Sequence, residues 1–270
     1  MTKYIEVEFK VTQLEEVTSS HIKQYLKYLK VKGLASTYVN TILKSVRSFF
    51  KYCTQEDYIR ENTSLKVSFQ REGKVLIKTF EDAEIVKMLK HYDDTTYLGI
   101  RNRTILATLV DTGLRNTELC ELKIKNINKE TGIITIVGKG NKERQLILSA
   151  TLRKMMMKHE RVKEFYFKDK NIKNDYYFLS RTGEILTKEA IERIVKTAGV
   201  GAGVRKEIRC SPHTIRHYFA QAELRHGIDV YSLSRLLGHD SIDITKRYLQ
   251  SIQDKEILKL SIKTSPLSNL

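Results

Sequence analysis

Proline occupies only two of the 270 positions, Pro212 and Pro266. It lacks the backbone donor that a helix interior needs and clashes with the preceding turn. A chain this poor in proline can be helical along nearly its whole length. Hydrophobic periodicity says where. Between Ser20 and Lys32, Ile22, Leu26 and Leu29 recur at helical spacing, and Gly33 supplies the stop. Between Ser36 and Tyr52 the set Val39, Ile42, Leu43, Val46 and Phe50 repeats the pattern. The opposite faces are basic: Lys23, Lys27 and Lys30 on one, Lys44, Arg47 and Lys51 on the other. Each face alone reads as solvated surface; two in tandem read equally well as a surface for DNA. Ile5–Leu14 shows no such repeat and reads as irregular or extended.

Val67–Lys78 mixes polar, charged and Gly residues without periodicity. It predicts a linker, 71–77, between a small helical domain (1–70) and a larger one (78–270). The larger domain opens on Ile85, Val86 and Leu89. A nearly all-apolar run, Ile105–Val110, then reads as a buried helix ending at Gly113. The period then changes. Ile133–Val137 is β-branched, as a strand should be. Gly138–Glu143 is a basic turn, and Arg144–Leu148 returns as a second strand, giving an antiparallel hairpin. Lys142 and Arg144 join the candidate DNA contacts. Helices resume at Ala150–Val162, Lys188–Ala198, Pro212–Arg225, Val230–Leu237 and Ile242–Leu249. The prediction is a mainly α chain with a small antiparallel β-sheet.

Charge narrows the partner. Lys and Arg number 48 against 32 Asp and Glu, a net charge of +16, and such an excess attracts polyanions. Nucleic acid fits better than a membrane surface, because Trp is absent and no Lys-rich amphipathic helix with an aromatic face stands out. No run approaches 18 apolar residues, so no membrane span is expected. Met1–Glu8 carries acids and no apolar core, unlike a secretory signal. Cys53, Cys120 and Cys210 are scattered and odd in number, which fits a reduced, cytoplasmic compartment.

Three stretches could carry chemistry. In Thr112–Leu119, Arg115 stands where one helix ends and another begins near Asn116, which can cap it. A guanidinium beside free helix N–H groups can bind an anion; the plain alternative is a surface Arg paired with an acid. In Ser211–Phe219, Pro212 opens a helix that puts His213 and Arg216 on one face, an arrangement suited to phosphate. His213 and His217 share the i,i+4 spacing of a metal pair, but the zinc-protease pattern needs Glu where Thr214 stands. His217 reads as a packed structural residue. In Leu236–Tyr248, His239 follows the helix-breaking Gly238, and Tyr248 falls within the next helix.

Together, Thr112-Gly113-Leu114-Arg115, Gly138-Lys139-Gly140-Asn141-Lys142-Glu143-Arg144, His213-Thr214-Ile215-Arg216-His217, Leu237-Gly238-His239 and Tyr248 resemble the signature of the tyrosine recombinases, the phage integrase and Xer class. The resemblance implies a two-domain DNA clamp: a helical core-binding domain, here reduced or truncated, and a tyrosine-recombinase catalytic domain. It implies that Arg115 and Arg216 grip the scissile phosphate and that Lys139 protonates the leaving 5′ oxygen. His213 would contact the phosphate and act as general base, His239 would hydrogen-bond the phosphate, and Tyr248 would be the nucleophile. No cofactor and no metal are implied, since two guanidiniums and an imidazole can carry the charge on the non-bridging oxygens.

The partner implied is double-stranded DNA. The active form would be a tetramer on two sites, assembled from monomers, with segment 250–270 docking on a neighbour and accessory DNA-bending proteins possible. A silent DNA-binding transcriptional regulator and a type IB topoisomerase are the alternatives on these residues.

Overall fold

The computed structural model describes residues 1–71, 73, 77–138, 143–249, 258 and 261–262. The chain divides into two compact units, Met1–Val75 and Leu76–Leu270. The division falls inside the stretch expected as linker.

The first unit holds helices α1 (Thr2–Phe9), α2 (Ser19–Val31) and α3 (Ser36–Gln55). Thr18 starts α2 through a reciprocal capping box with His21. Of the periodic residues of α2 and α3, Ile22, Leu26, Leu29, Val39, Leu43, Val46 and Phe50 are buried, and Ile42 is half-buried against them. Each fully buried aliphatic side chain contributes roughly 1.5–3 kcal/mol.

Helix α1 corrects the expectation of an extended N-terminal segment. Its one buried residue is Ile5, too little to make a readable period. It is held instead by rings from α2: Tyr4 lies 4.6 Å from Tyr28 and Phe9 lies 4.7 Å from His21, centre to centre. Lys10 ends it in the left-handed region at φ 58°, with its N–H on the Glu6 carbonyl.

The basic faces divide. Lys23, Lys27, Lys30, Lys44 and Lys51 are exposed. Arg47 is not a free DNA-facing cation. It is half-buried, donates to the Val67 carbonyl at 2.7 Å, and lies over the Phe69 ring at 4.3 Å. It clips the segment after α3 onto that helix.

The second unit runs α4 (Asp82–His91), α5 (Tyr97–Thr112), α6 (Asn116–Cys120), β1 (Ile127–Asn128), β2 (Ile133–Val137), β3 (Glu143–Ile147), α7 (Ala150–Phe167), α8 (Lys188–Gly201), α9 (Pro212–His226), α10 (Val230–Leu237) and α11 (Ile242–Lys246). The sheet order is β1-β2-β3, antiparallel throughout, with Ile134 opposite Leu146 and Ile136 opposite Arg144. The two-residue β1 is too short to carry an alternation that sequence could reveal. Helix α5 is central and buried around most of its circumference, packed by α7, α8 and α9. Among the described residues no helix is long and apolar enough to cross a membrane.

Two local expectations change. Asn116 does not cap α6: Arg115 takes the cap position, and Asn116 is the first helical residue, its amide donating to the Lys188 carbonyl. Helix α11 stops at Lys246, so Tyr248 lies beyond it in a turn, its N–H on the Thr245 carbonyl.

Candidate functional site

The C-terminal end of α10 organises the site. A helix end presents carbonyls with no intrahelical partner and the negative pole of the helix dipole. Here three arginines from three other elements answer three successive carbonyls. Arg144 Nε donates to Leu236 at 2.8 Å, Arg216 Nη2 to Leu237 at 2.6 Å, and Arg115 Nη2 to Gly238 at 2.8 Å. Arg216 also donates through Nη1 to the Gly113 carbonyl at 2.8 Å. Gly113 sits at φ 60°, where a Cβ would come within 2.4 Å of the Phe219 ring. Only glycine permits both the turn after α5 and the approach of α9.

Glu118 lies between Arg115 and Arg144. Its Oε1 accepts from Arg115 at 2.9 Å and from Arg144 at 2.8 Å; its Oε2 accepts from Arg144 at 2.7 Å and from the Arg115 backbone N–H at 2.8 Å. Burial works to raise its pKa, but the Arg144 hydrogen bonds and charge, with those of Arg115, prevail and hold it at about 2. The DNA contact expected of Arg144 is therefore corrected. Its side chain is only 10% exposed, and all three of its nitrogens are engaged inside the protein.

Arg115, His213, Arg216, His217, His239 and Tyr248 line one cavity of about 770 Å³, together with Arg209 and Arg247. Five of the six residues expected to carry chemistry thus converge. The sixth, Lys139, lies outside the described residues, as does Lys142; the flanking Gly138 and Glu143 line a neighbouring cleft that also touches Arg115 and His239.

The histidines are held neutral. His239, its Nδ1 2.8 Å from the Thr245 hydroxyl, is brought down to about 4 by burial and by Arg216, Arg115 and Arg144. His213 is lowered by burial, then by Arg216, Arg209 and Arg247. Burial lowers Arg216 to about 10, which leaves it cationic at neutral pH. Tyr248 is 3% exposed; burial raises its pKa, opposed by Arg216, Arg247 and Arg115.

Sequence reasoning missed His217. Its Nδ1 lies 2.9 Å from the Tyr248 hydroxyl, so it is more than packing. Its i,i+4 spacing from His213 was the available signal, but that spacing pointed only to a metal test. Glu118, Thr245 and Arg247 were missed as well. Glu118 alone left a trace, three residues after Arg115 as in a capping box.

This cationic pocket, with neutral imidazoles and a buried phenol, suits an anionic oxygen cluster and a nucleophilic hydroxyl. Comparison with known proteins gives the family. The Phage integrase family matches residues 78–255. Tyrosine recombinase XerD of Listeria monocytogenes is 30% identical over 245 residues, covering 91% of this chain and 82% of that protein. Tyrosine recombinase XerC of Natranaerobius thermophilus is 33% identical over 244 residues, covering 89% and 81%. Among solved structures, a XerH site-specific recombinase in a post-cleavage complex with palindromic difH substrate shares the fold at TM-score 0.77 and 23% identity, over 96% of this chain and 76% of that one. A lambda integrase (75–356) dimer bound to a COC′ core site does so at TM-score 0.68 and 18% identity, over 91% and 84%.

Proposed function

The chain belongs to the Phage integrase family, and from that premise we propose that it is a site-specific recombinase that cuts and rejoins double-stranded DNA through Tyr248. The observation that carries this reading is the convergence of the Tyr248 hydroxyl with Arg115, Arg216, His213 and His239 on one cavity.

The chemistry follows from those groups. A phosphodiester entering the cavity meets Arg115 and Arg216, whose guanidiniums take up the charge that grows on the non-bridging oxygens. A phenol is a weak nucleophile at its ordinary pKa of about 10 and needs nearby cations or a base. Tyr248 Oη attacks phosphorus, gives its proton to a neutral imidazole of the cavity acting as general base, the role the resemblance gives His213, and forms the bond to the 3′ phosphate. The P–O5′ bond breaks, and the 5′ oxygen takes a proton, the role assigned to Lys139. His213 and His239 each donate a ring N–H to the phosphoryl oxygens. The phosphotyrosyl ester keeps the energy of the bond it replaces, so attack by a second strand's 5′ hydroxyl reseals DNA without ATP, and exchange passes through a Holliday junction.

Lys23, Lys27, Lys30, Lys44 and Lys51 would hold the duplex backbone. Strand exchange between two sites would use four copies, with DNA-bending proteins as possible helpers. Residues 250–270, the proposed docking segment, lie outside the described residues except 258, 261 and 262. The work would be done in the cytoplasm, where such DNA resides.

The test is covalent capture. Incubation with a pool of nicked duplexes of randomised sequence should leave DNA bound through Tyr248, and Tyr248→Phe should abolish the adduct while retaining the duplex. Adduct formation by Tyr248→Phe would remove the nucleophile assignment. Binding without any adduct would favour a silent regulator, and relaxation of supercoiled DNA at no defined site would favour a topoisomerase.

A further inference from the structure

One contact in the cavity has no role in the chemistry above: His217 against the phenol. Its Nδ1 lies 2.9 Å from Tyr248 Oη, with the rings tilted at 59° and 5.4 Å between centres. We propose that His217 is a positioning residue for the nucleophile: its Nδ1 accepts the phenolic hydrogen and sets the direction in which Oη faces the phosphate. The inference rests on the recombinase reading of the same cavity.

Three observations carry it. The first is complementarity. A phenolic hydrogen needs an acceptor, and the neighbouring guanidiniums of Arg115, Arg216 and Arg247 offer only donors. A neutral imidazole can accept. Burial first, and then the electrostatic surroundings set by Arg247 and Arg216 and by the neighbouring His213 and His239, bring His217 down to about 4, so it is neutral across the physiological range.

The second is the order of the two histidines. His213 and His217 stand one turn apart on α9, ring to ring at 4.2 Å, and it is His217 whose nitrogen reaches the phenol.

The third is the scaffold. His217 follows Arg216 directly on α9. Arg216 is fixed by the Gly113 and Leu237 carbonyls and is 4% exposed. One rigid helix therefore presents both the guanidinium that meets the anion and the imidazole that holds the attacking oxygen, which fixes the spacing of the two reactants. Misplacement by about 1 Å costs on the order of 100-fold in rate.

The experiment uses the full chain and the nicked duplex most often captured from the randomised pool. His217→Leu should form the adduct on the order of 100-fold more slowly than the parent. His217→Asn, whose amide overlays Nδ1, should stay within about 10-fold of it. Both should hold the duplex and melt as the parent does. The same ratios should appear on a duplex with a 5′-bridging phosphorothiolate, whose sulfur leaves without a proton, because the defect lies with the nucleophile.

A second readout needs no DNA. With 13Cζ-labelled tyrosine, the resonance missing from Tyr248→Phe should move in His217→Leu and return in His217→Asn. The proposal is overturned if His217→Leu reacts within about 3-fold of the parent, if Asn rescues nothing, or if the resonance does not move. A parent chain that captures no duplex would sink the recombinase reading instead, and the resonance would then decide the His217 contact by itself.

Discussion

Replacing Glu118 by Gln keeps the shape of the side chain and removes its charge, and the structure sets the size of the consequence. The carboxylate is 5% exposed and its partner Arg144 is 10% exposed, so solvent screens the pair little. The substituted amide keeps one acceptor oxygen in place of two. Arg144 would nonetheless become a buried cation with no anion beside it, keeping its bond to the Leu236 carbonyl. Breaking one side of a buried pair costs about 3–5 kcal/mol. For a unit of this size that is a fall in Tm of roughly 6–20 °C at neutral pH.

Linkage gives a second readout. The folded Glu118 carboxyl, held at about 2, lies below the ordinary 4.5. Its stabilisation is therefore complete above pH 4.5 and is lost as pH falls toward 2. Calorimetry should find that Glu118→Gln loses that part of the acid slope. Adding Arg144→Met should recover much of the lost stability, because the uncompensated charge goes with it. A single variant that melts within about 2 °C of the parent, or a double variant whose losses simply add, would refute the account of Arg144 as an internal strut.

Two further outcomes follow from other groups. His159 is fully buried, neither ring nitrogen has a hydrogen-bond partner among the described residues, and burial with Lys163 and Arg101 brings it to about 3 against the usual 6.5. The unfolded state binds its proton first, so stability falls as pH drops from 6.5 toward 3. His159→Phe should make the Tm slope across that window shallower than the parent's, and an unchanged slope would exclude His159 as a source. In DNA binding, replacing exposed Lys27 or Lys44 by Ala should reduce the salt slope of affinity for a mixed-sequence duplex by about 0.9 for each phosphate no longer neutralised. Arg47→Ala should leave that slope unchanged and lower the melting temperature instead; a reduced slope for Arg47→Ala would reopen its role in holding DNA.

Local order was legible and long-range pairing was not. Ile22, Leu26 and Leu29 announce α2 because one face of one helix writes its own period. Pro212 announces the start of α9, and Gly113 and Gly238 announce the ends of α5 and α10. Helix α1 gives no such sign, since Ile5 is its one buried residue and the rings that hold it come from α2. Arg144 looked like any other cation of a basic turn; the acid that claims it is 26 residues away. Resemblance named the residues of the cavity but not their partners. His217 was visible only as a spacing, and its contact with Tyr248 spans 31 residues.

The Leu237-Gly238-His239 step shows why a short motif can matter beyond its histidine. Gly238 ends α10 at φ 63°, and a Cβ there would stand 3.1 Å from the Arg144 side chain. A left-handed residue turns the chain sharply while leaving the last carbonyls of the helix pointing outward. Those carbonyls are the ones that Arg144, Arg216 and Arg115 share out in order. The same turn carries His239 off the helix axis to the cavity wall, where Thr245 holds its Nδ1. One glycine thus sets the positions of three guanidiniums and one imidazole relative to each other. The arginines are held by backbone oxygens rather than by exposed acids alone, so their placement precedes any anion. This is the preorganisation that electrostatic stabilisation of a growing charge requires.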